Sequence, residues 1–272
     1  HSTSRRQRQM CIRDRDIYYL VIGRFFTSFV LGQYTRAKQF NTIFSSNLTT
    51  VVQRVSYPVL SSIQNEPERL CGAYRKVIKS TMLVTFACML GLAAMAKPLI
   101  IILIGEKWLP AAGYLQIICF SGMLYPLHAI NLNILKVKGR SDLFLKLEII
   151  KKILAIGPIA LGVFGGIECM LWGSVLNSFV AYFLNSYYSA DLINYPTVKQ
   201  IKDILPTFCV SIAVAAAMWG LSFFRLSVYL LLPLQLLLGV SLAYLVYERT
   251  ALPEYLELRQ VTLSLLKRKS YT

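Results

Sequence analysis

Long apolar runs, cut at intervals by short polar or basic segments, make up most of the chain. A helix that crosses a bilayer needs roughly 20 mostly apolar residues, because a rise of ~1.5 Å per residue must cover a hydrocarbon core ~30 Å thick. On that template the pattern predicts eight helices, over residues 16–31, 33–62, 80–104, 112–135, 144–164, 167–189, 203–223 and 227–247. The first is short and reads as the end of a cut helix. The connections are brief, and none has room for a sizeable soluble domain. The fold class this predicts is all-α, a polytopic helical membrane protein.

The basic residues orient these helices. One alternating set of connections, together with the C-terminal tail, carries seventeen lysines and arginines; the other carries five, Arg36, Lys38, Lys97, Lys107 and Arg225. Since positive connections stay in the cytoplasm, the turns at Glu106-Lys107-Trp108, Gly165-Gly166 and Phe224-Arg225 are expected to face outward and the C-terminus inward. Two segments read as amphipathic and interfacial. "NEPERLCGAYRKVIKS" sets Leu70, Ala73, Tyr74 and Val77 on one helical face, and residues 248–272 form a basic tail.

Composition agrees with this reading: 56% of residues are hydrophobic, 15% are charged, and the mean hydropathy is +0.53. The net charge of +16 lies in clusters between apolar runs, which indicates membrane topology rather than a nucleic-acid partner. The six cysteines are scattered without C-x-x-C spacing and read as free packing thiols. The first fifteen residues, "HSTSRRQRQMCIRDR", have neither an apolar core nor a small-residue cleavage site, so they do not form a signal peptide. They resemble a translated cloning-adapter scar, a non-native leader whose presence implies that the native chain starts upstream.

Catalytic chemistry has little to work with. The histidines are His1 and His128, too few for a histidine-based metal cluster, and neither a phosphate-binding glycine loop nor a nucleophile elbow occurs. No catalytic residue, metal site or cofactor is expected, and the chain does not read as an enzyme. The helix over 33–62 is the most polar. At ~100° per residue Arg36, Asn47, Thr50, Arg54 and Ser61 share a stripe, interrupted by Ile43. Arg36 and Arg54 are five turns apart, about 27 Å along the axis. Arg54 either snorkels to the inner headgroups or lines a polar cavity and binds an anion such as phosphate, which a guanidinium fork fits. Arg24 offers the same two readings. In the fourth helix Gln116, His128 and Asn131 are candidates for a polar cavity or a gate, with a packing role as the alternative. Pro58, Pro98, Pro126, Pro158, Pro206 and Pro233 are distributed over six helices, where prolines often mark bending elements.

Several motifs in order carry a family resemblance. Asp16, Ile22-Gly23-Arg24-Phe25, Leu31-Gly32-Gln33-Tyr34-Thr35-Arg36-Ala37, "RVSYPVLSSIQNEPERLCGAY", Ile104 to Trp108 and "KGRSDLFLKL" together resemble the second half of Wzx-type polysaccharide flippases. These belong to the multidrug/oligosaccharidyl-lipid/polysaccharide (MOP) exporter superfamily. The resemblance covers about Asp16 to Leu266. It implies a second six-helix lobe at 16–190, with its first helix truncated, an added helix pair at 191–247 and a cytoplasmic tail at 248–272, with a first lobe missing. It also implies a site in the bacterial cytoplasmic membrane and a substrate of undecaprenyl-diphosphate-linked oligosaccharide, used in O-antigen, capsule or exopolysaccharide biosynthesis. Partners would be that lipid, membrane lipids and other polysaccharide-assembly membrane proteins. By position Arg36 resembles a cavity arginine of the related lipid II flippases. A drug/cation antiporter of the same superfamily would need intramembrane carboxylates, and an oligosaccharide polymerase or ligase a large external loop. A non-transporting membrane scaffold is the third alternative.

Overall fold

The computed structural model of the chain describes residues 17–224, 226–250 and Tyr255. The leader at 1–15 and nearly all of the basic tail therefore lie outside the described residues. Within them all regular structure is helical. The described part of α1 covers 17–25. It is followed by α2 (Ser28–Ser62), α3 (Pro67–Ala94), α4 (Ala96–Ile104), a 3-10 turn (Glu106–Trp108), α5 (Leu109–Gly122), α6 (Tyr125–Val137), α7 (Ser141–Leu154), α8 (Ile156–Ile193), α9 (Thr197–Gly220), a second 3-10 turn (Leu221–Phe223) and α10 (Val228–Thr250).

Proline explains three of the breaks. It has no N–H for the carbonyl four residues earlier, and its ring presses on that carbonyl. Pro98, Pro126 and Pro158 accordingly follow helices that end at Ala94, Gly122 and Leu154, each four residues before the proline. The chain re-enters a helix after at most two residues, so α3–α4, α5–α6 and α7–α8 each form one bent rod. Pro58, Pro206 and Pro233 lie inside unbroken helices, so three of the six prolines expected to mark bends mark no break.

α8 reverses direction within its own span. Gly166 takes φ 87° and ψ 176°, a conformation open essentially only to glycine. A Cβ on Gly173 would lie 3.1 Å from Pro158 Cα, and one on Gly162 would lie 2.7 Å from Met170 Cβ. Along a straight helix residues 158 and 173 would stand about 22 Å apart. The 53-residue stretch Ser141–Ile193 is thus two passes joined at the expected Gly165-Gly166 turn. Among the described residues five helical stretches are long and apolar enough to cross a membrane, and with this reversal they contain the last six of the eight expected passes. α2 is not among them, because polar residues occupy both its exposed and its buried face.

Two expectations need correction. The first break falls at Phe26-Thr27, where Thr27 Oγ1 caps α2 by accepting from Val30 N (3.4 Å). Arg36 and Lys38 are therefore on α2, more than two turns from its start, and not in a connection. "NEPERLCGAYRKVIKS" is not a separate interfacial helix either. From Pro67 at the first helical position it runs without a break into α3, and buries Leu70, Tyr74 and Ile78. The spacing 70, 74, 78 continues the core stripe of the span, which explains why no break intervenes.

The connections sort to opposite ends of the bundle. At one end Lys138 Nζ donates to Gln64 O (2.7 Å), and Arg75 of α3 is paired with Asp203 of α9. At the other, Gln33 Nε2 donates to Lys107 O (3.0 Å) and Gln33 Oε1 accepts from Ala111 N (3.2 Å), which satisfies an orphan donor at the start of α5. The first end carries most of the positive charge, as expected for alternating topology. The core runs between them through Ile22, Tyr74, Met82, Ile100, Leu115, Leu127 and Ile130, all fully buried. α9 lies along α3, with Phe86 and Phe208 edge to face at 5.2 Å, and α10 packs on α9 and α4.

Candidate substrate groove

α2 is the element that positions the site. Its buried side presents Gln33, Asn41, Ser45 and Ser56 to α5 and α6. Small polar groups of this kind let membrane helices approach closely and hydrogen-bond across the contact. Asn41 Nδ2 donates to Ile118 O (3.1 Å), and Asn133 Nδ2 donates to Ser56 Oγ (3.4 Å). The opposite side carries Arg36, Gln39, Ile43, Asn47, Thr50 and Arg54, all exposed and spaced three or four residues apart. The polar stripe expected from the sequence is therefore one open face of α2, with Ile43 the apolar member in its middle.

Between this face and α1 runs a groove of about 590 Å³, lined by Tyr19, Lys38, Gln39, Thr42, Ile43, Ser46 and Asn47. Of the expected residues Asn47 lines the groove directly. Arg36 sits at its rim, where Nη1 donates to Gln39 Oε1 (3.0 Å) and the guanidinium lies 5.1 Å from the centre of the Trp108 ring. Thr50 is one turn below Asn47, its hydroxyl donating to Ser46 O (2.8 Å). Arg54 is a further turn below, exposed, and free of any hydrogen bond or ion pair among the described residues. Arg24 is exposed near the end of α1, off the groove wall.

The structure adds Lys38 to this site. Its Nζ stands 3.3 Å from Tyr125 Oη and 5.4 Å from the centre of that ring. Sequence reasoning assigned Lys38 to a connection because the helix boundary was placed too late. The signal that could have found it is Thr27, an N-cap residue ahead of the run that begins at Ser28.

Gln116, His128 and Asn131 lie elsewhere, as packing partners inside the bundle and not on the groove. Gln116 Nε2 donates to Ala93 O (3.2 Å). Asn131 Oδ1 accepts from Tyr74 Oη (2.7 Å) and Ser189 Oγ (2.7 Å), and its Nδ2 donates to Leu127 O (3.0 Å), so every amide group faces a neighbouring helix or its own. His128 accepts at Nδ1 from Asn185 Nδ2 (3.2 Å), which leaves Nε2 to donate to Ser178 Oγ (3.2 Å). Polar groups buried in a bundle find partners in this way, because an unsatisfied one is costly.

Six apolar passes, polar interhelical contacts and a cation-bearing groove define a polytopic helical membrane protein. Residues 10–113 match the family model Polysacc_synt_3, a polysaccharide biosynthesis protein. The chain is 26% identical over 208 residues to the teichuronic acid biosynthesis protein TuaB of Bacillus subtilis (strain 168), covering 76% of this chain and 43% of TuaB. It is 26% identical over 212 residues to the lipopolysaccharide biosynthesis protein WzxC of Escherichia coli (strain K12), covering 74% and 43%. It is also similar to the succinoglycan biosynthesis transport protein ExoT of Rhizobium meliloti (strain 1021), with 26% identity over 58% of this chain and 33% of ExoT. Among solved structures the lipid II flippase MurJ, in an inward closed conformation, superposes with a TM-score of 0.60 at 17% identity, over 82% of this chain and 48% of MurJ. The chain thus has the fold of part of a lipid flippase and resembles Wzx-type polysaccharide transport proteins. It spans less than half the length of the curated relatives it matches.

Proposed function

We propose that this chain is part of a flippase that moves undecaprenyl-diphosphate-linked oligosaccharide across the bacterial cytoplasmic membrane for polysaccharide biosynthesis. The observation that carries the reading is the open polar face of α2, with Arg36 and Lys38 near one end and Arg54 near the other. A diphosphate with its sugars cannot cross hydrocarbon unaided, so its carrier needs a hydrated wall bearing cations while the lipid tail stays in the bilayer. Cations at two depths, about 27 Å apart, suit a headgroup handed from one side to the other as two lobes rock about it. Residues 16–190 would supply one lobe and 191–247 an added helix pair. Among the described carboxylates Glu66, Asp142, Glu148 and Asp203 are each paired with a cation, and Glu68, Glu106, Glu168 and Asp191 are exposed, which disfavours the antiporter reading.

The test is transport by the complete protein. Arg36→Ala and Arg54→Ala each lower flipping of a labelled lipid-linked sugar, with membrane insertion unchanged; unaltered flipping in both variants overturns the proposal.

A further inference from the structure

We infer that Trp108 is a positioning residue for Arg36: the 3-10 turn Glu106–Trp108 holds that guanidinium at the rim of the groove, set to receive a diphosphate. This rests on the groove being the headgroup site. One turn of α2 grips the 3-10 turn. Gln33 Nε2 donates to Lys107 O (3.0 Å) and Gln33 Oε1 accepts from Ala111 N (3.2 Å), so the backbone on both sides of Trp108 is fixed. A Cβ on Gly32 would lie 3.6 Å from Trp108 Cζ3, so the indole rests on α2 where no side chain intervenes. Arg36 follows Gly32 by four residues, on the same helical face. Its Cζ stands 5.1 Å from the centre of the Trp108 ring.

The form of this hold separates it from a structural ion pair. Arg75 donates to both oxygens of Asp203, a contact that occupies the guanidinium fork and offsets its charge. Arg36 donates one N–H to Gln39 Oε1 (3.0 Å) and has no carboxylate partner among the described residues. A ring contact consumes no N–H and leaves the positive charge in place. Arg36 is therefore restrained on two sides, by Gln39 of the groove wall and by Trp108, while its other N–H groups remain open to an anion. A long side chain loses rotamer freedom when it clamps a phosphate, and a ring that already restricts it removes part of that cost. Ring contacts alone do not mark the groove, since Lys136 lies over Phe144 and Lys146 over Tyr188 at the opposite end of the bundle. Trp108 differs in that the helix turn carrying the cation also fixes the ring. Lys107 Nζ stands 5.7 Å from the same ring, so removing Trp108 releases two cations, and the effect on Arg36 has to be read from paired variants.

Binding of inorganic pyrophosphate and of farnesyl-diphosphate-linked N-acetylglucosamine to the complete transporter, purified in detergent, tests this in a double-mutant cycle. Arg36→Gln weakens both probes about tenfold, equivalent to ~1.4 kcal/mol. Trp108→Leu weakens them about fourfold, equivalent to ~0.8 kcal/mol. With Arg36→Gln already present, Trp108→Leu changes them less than about 1.5-fold. Trp108→Phe keeps a weaker aromatic face and costs about twofold, again only with Arg36 in place; it carries the test if the leucine variant does not fold. Equal coupling for the two probes places recognition in the diphosphate itself; coupling for the farnesyl probe alone assigns it to lipid-borne headgroups, and either result supports the inference. The inference is overturned if the Trp108 variants weaken binding equally with and without Arg36, the mark of a merely structural role, or if they change nothing in either background. If Arg36→Gln itself leaves both probes unaffected, the reading of the groove as the headgroup site fails. If Arg36→Gln weakens binding but the cycle shows no coupling, only this inference does.

Discussion

Asp203 of α9 receives a two-pronged contact from Arg75 of α3, with Nη2 2.6 Å from Oδ1, and a third hydrogen bond from Tyr195 Oη at 2.6 Å. The two residues are 128 positions apart with most of the bundle between them, so this pair ties α9 to the body of the protein. Tyr195 in turn meets Tyr74 edge to face at 6.1 Å, and Tyr74 donates to Asn131. The contact therefore continues by packing into the polar network at Asn131 and Ser189.

Arg75→Ala is expected to destabilise the fold by about 1–3 kcal/mol, since it strips both guanidinium bonds from a mostly buried carboxylate. The side chain of Arg75 is 43% exposed, and solvent screening places the cost toward the lower end. Arg75→Lys restores only part of the loss, because one ammonium cannot replace a planar fork. Thermal unfolding of the complete protein in detergent checks both variants, and an unchanged midpoint for Arg75→Ala would sink the claim.

Gly122 ends α5 against the buried face of α2, where an added Cβ would sit 2.4 Å from Asn41 Nδ2 and 2.7 Å from Met89 Cε. Gly122→Ala therefore displaces Asn41 from its bond to Ile118 O and costs about 1–3 kcal/mol by overpacking. Gly113, whose Cβ would meet nothing within 4 Å, is the control, and Gly113→Ala does not lower the melting temperature, since alanine favours the helix by up to about 1 kcal/mol.

Orientation is testable one side at a time. In a variant lacking its native cysteines, Lys107→Cys is expected to react with a membrane-impermeant maleimide added to intact cells. Arg140→Cys reacts only after the membrane is opened. The reverse labelling pattern would invert the assigned topology.

Much of the fold was legible because its signals are local. Apolar run length, the alternation of basic connections and the Gly165-Gly166 pair each act over a few residues, and all three reappear in the structure. The stripe on α2 was legible for the same reason, since one helix turn fixes which residues share a face. Lys38 was missed because its place on α2 depends on a boundary set by the Thr27 cap. His128 and Asn131 looked like cavity groups because polarity within an apolar run is equally consistent with a wet wall and a dry hydrogen-bonded contact. Only the placement of Ser178, Asn185, Tyr74 and Ser189 separates the two. The segment from Pro67 looked interfacial because it combines basic and apolar residues, yet its apolar spacing continues without interruption into α3.

The three effective prolines have a mechanical consequence. The carbonyls of Ala94, Gly122 and Leu154 have no N–H four residues ahead, so flexing α3–α4, α5–α6 or α7–α8 at those points has one backbone hydrogen bond fewer to break. Three bent rods in one bundle are thus scored like folded card. If the lobe changes shape during a working cycle, the creases are already cut, and the straight stretches between them can move as rigid panels.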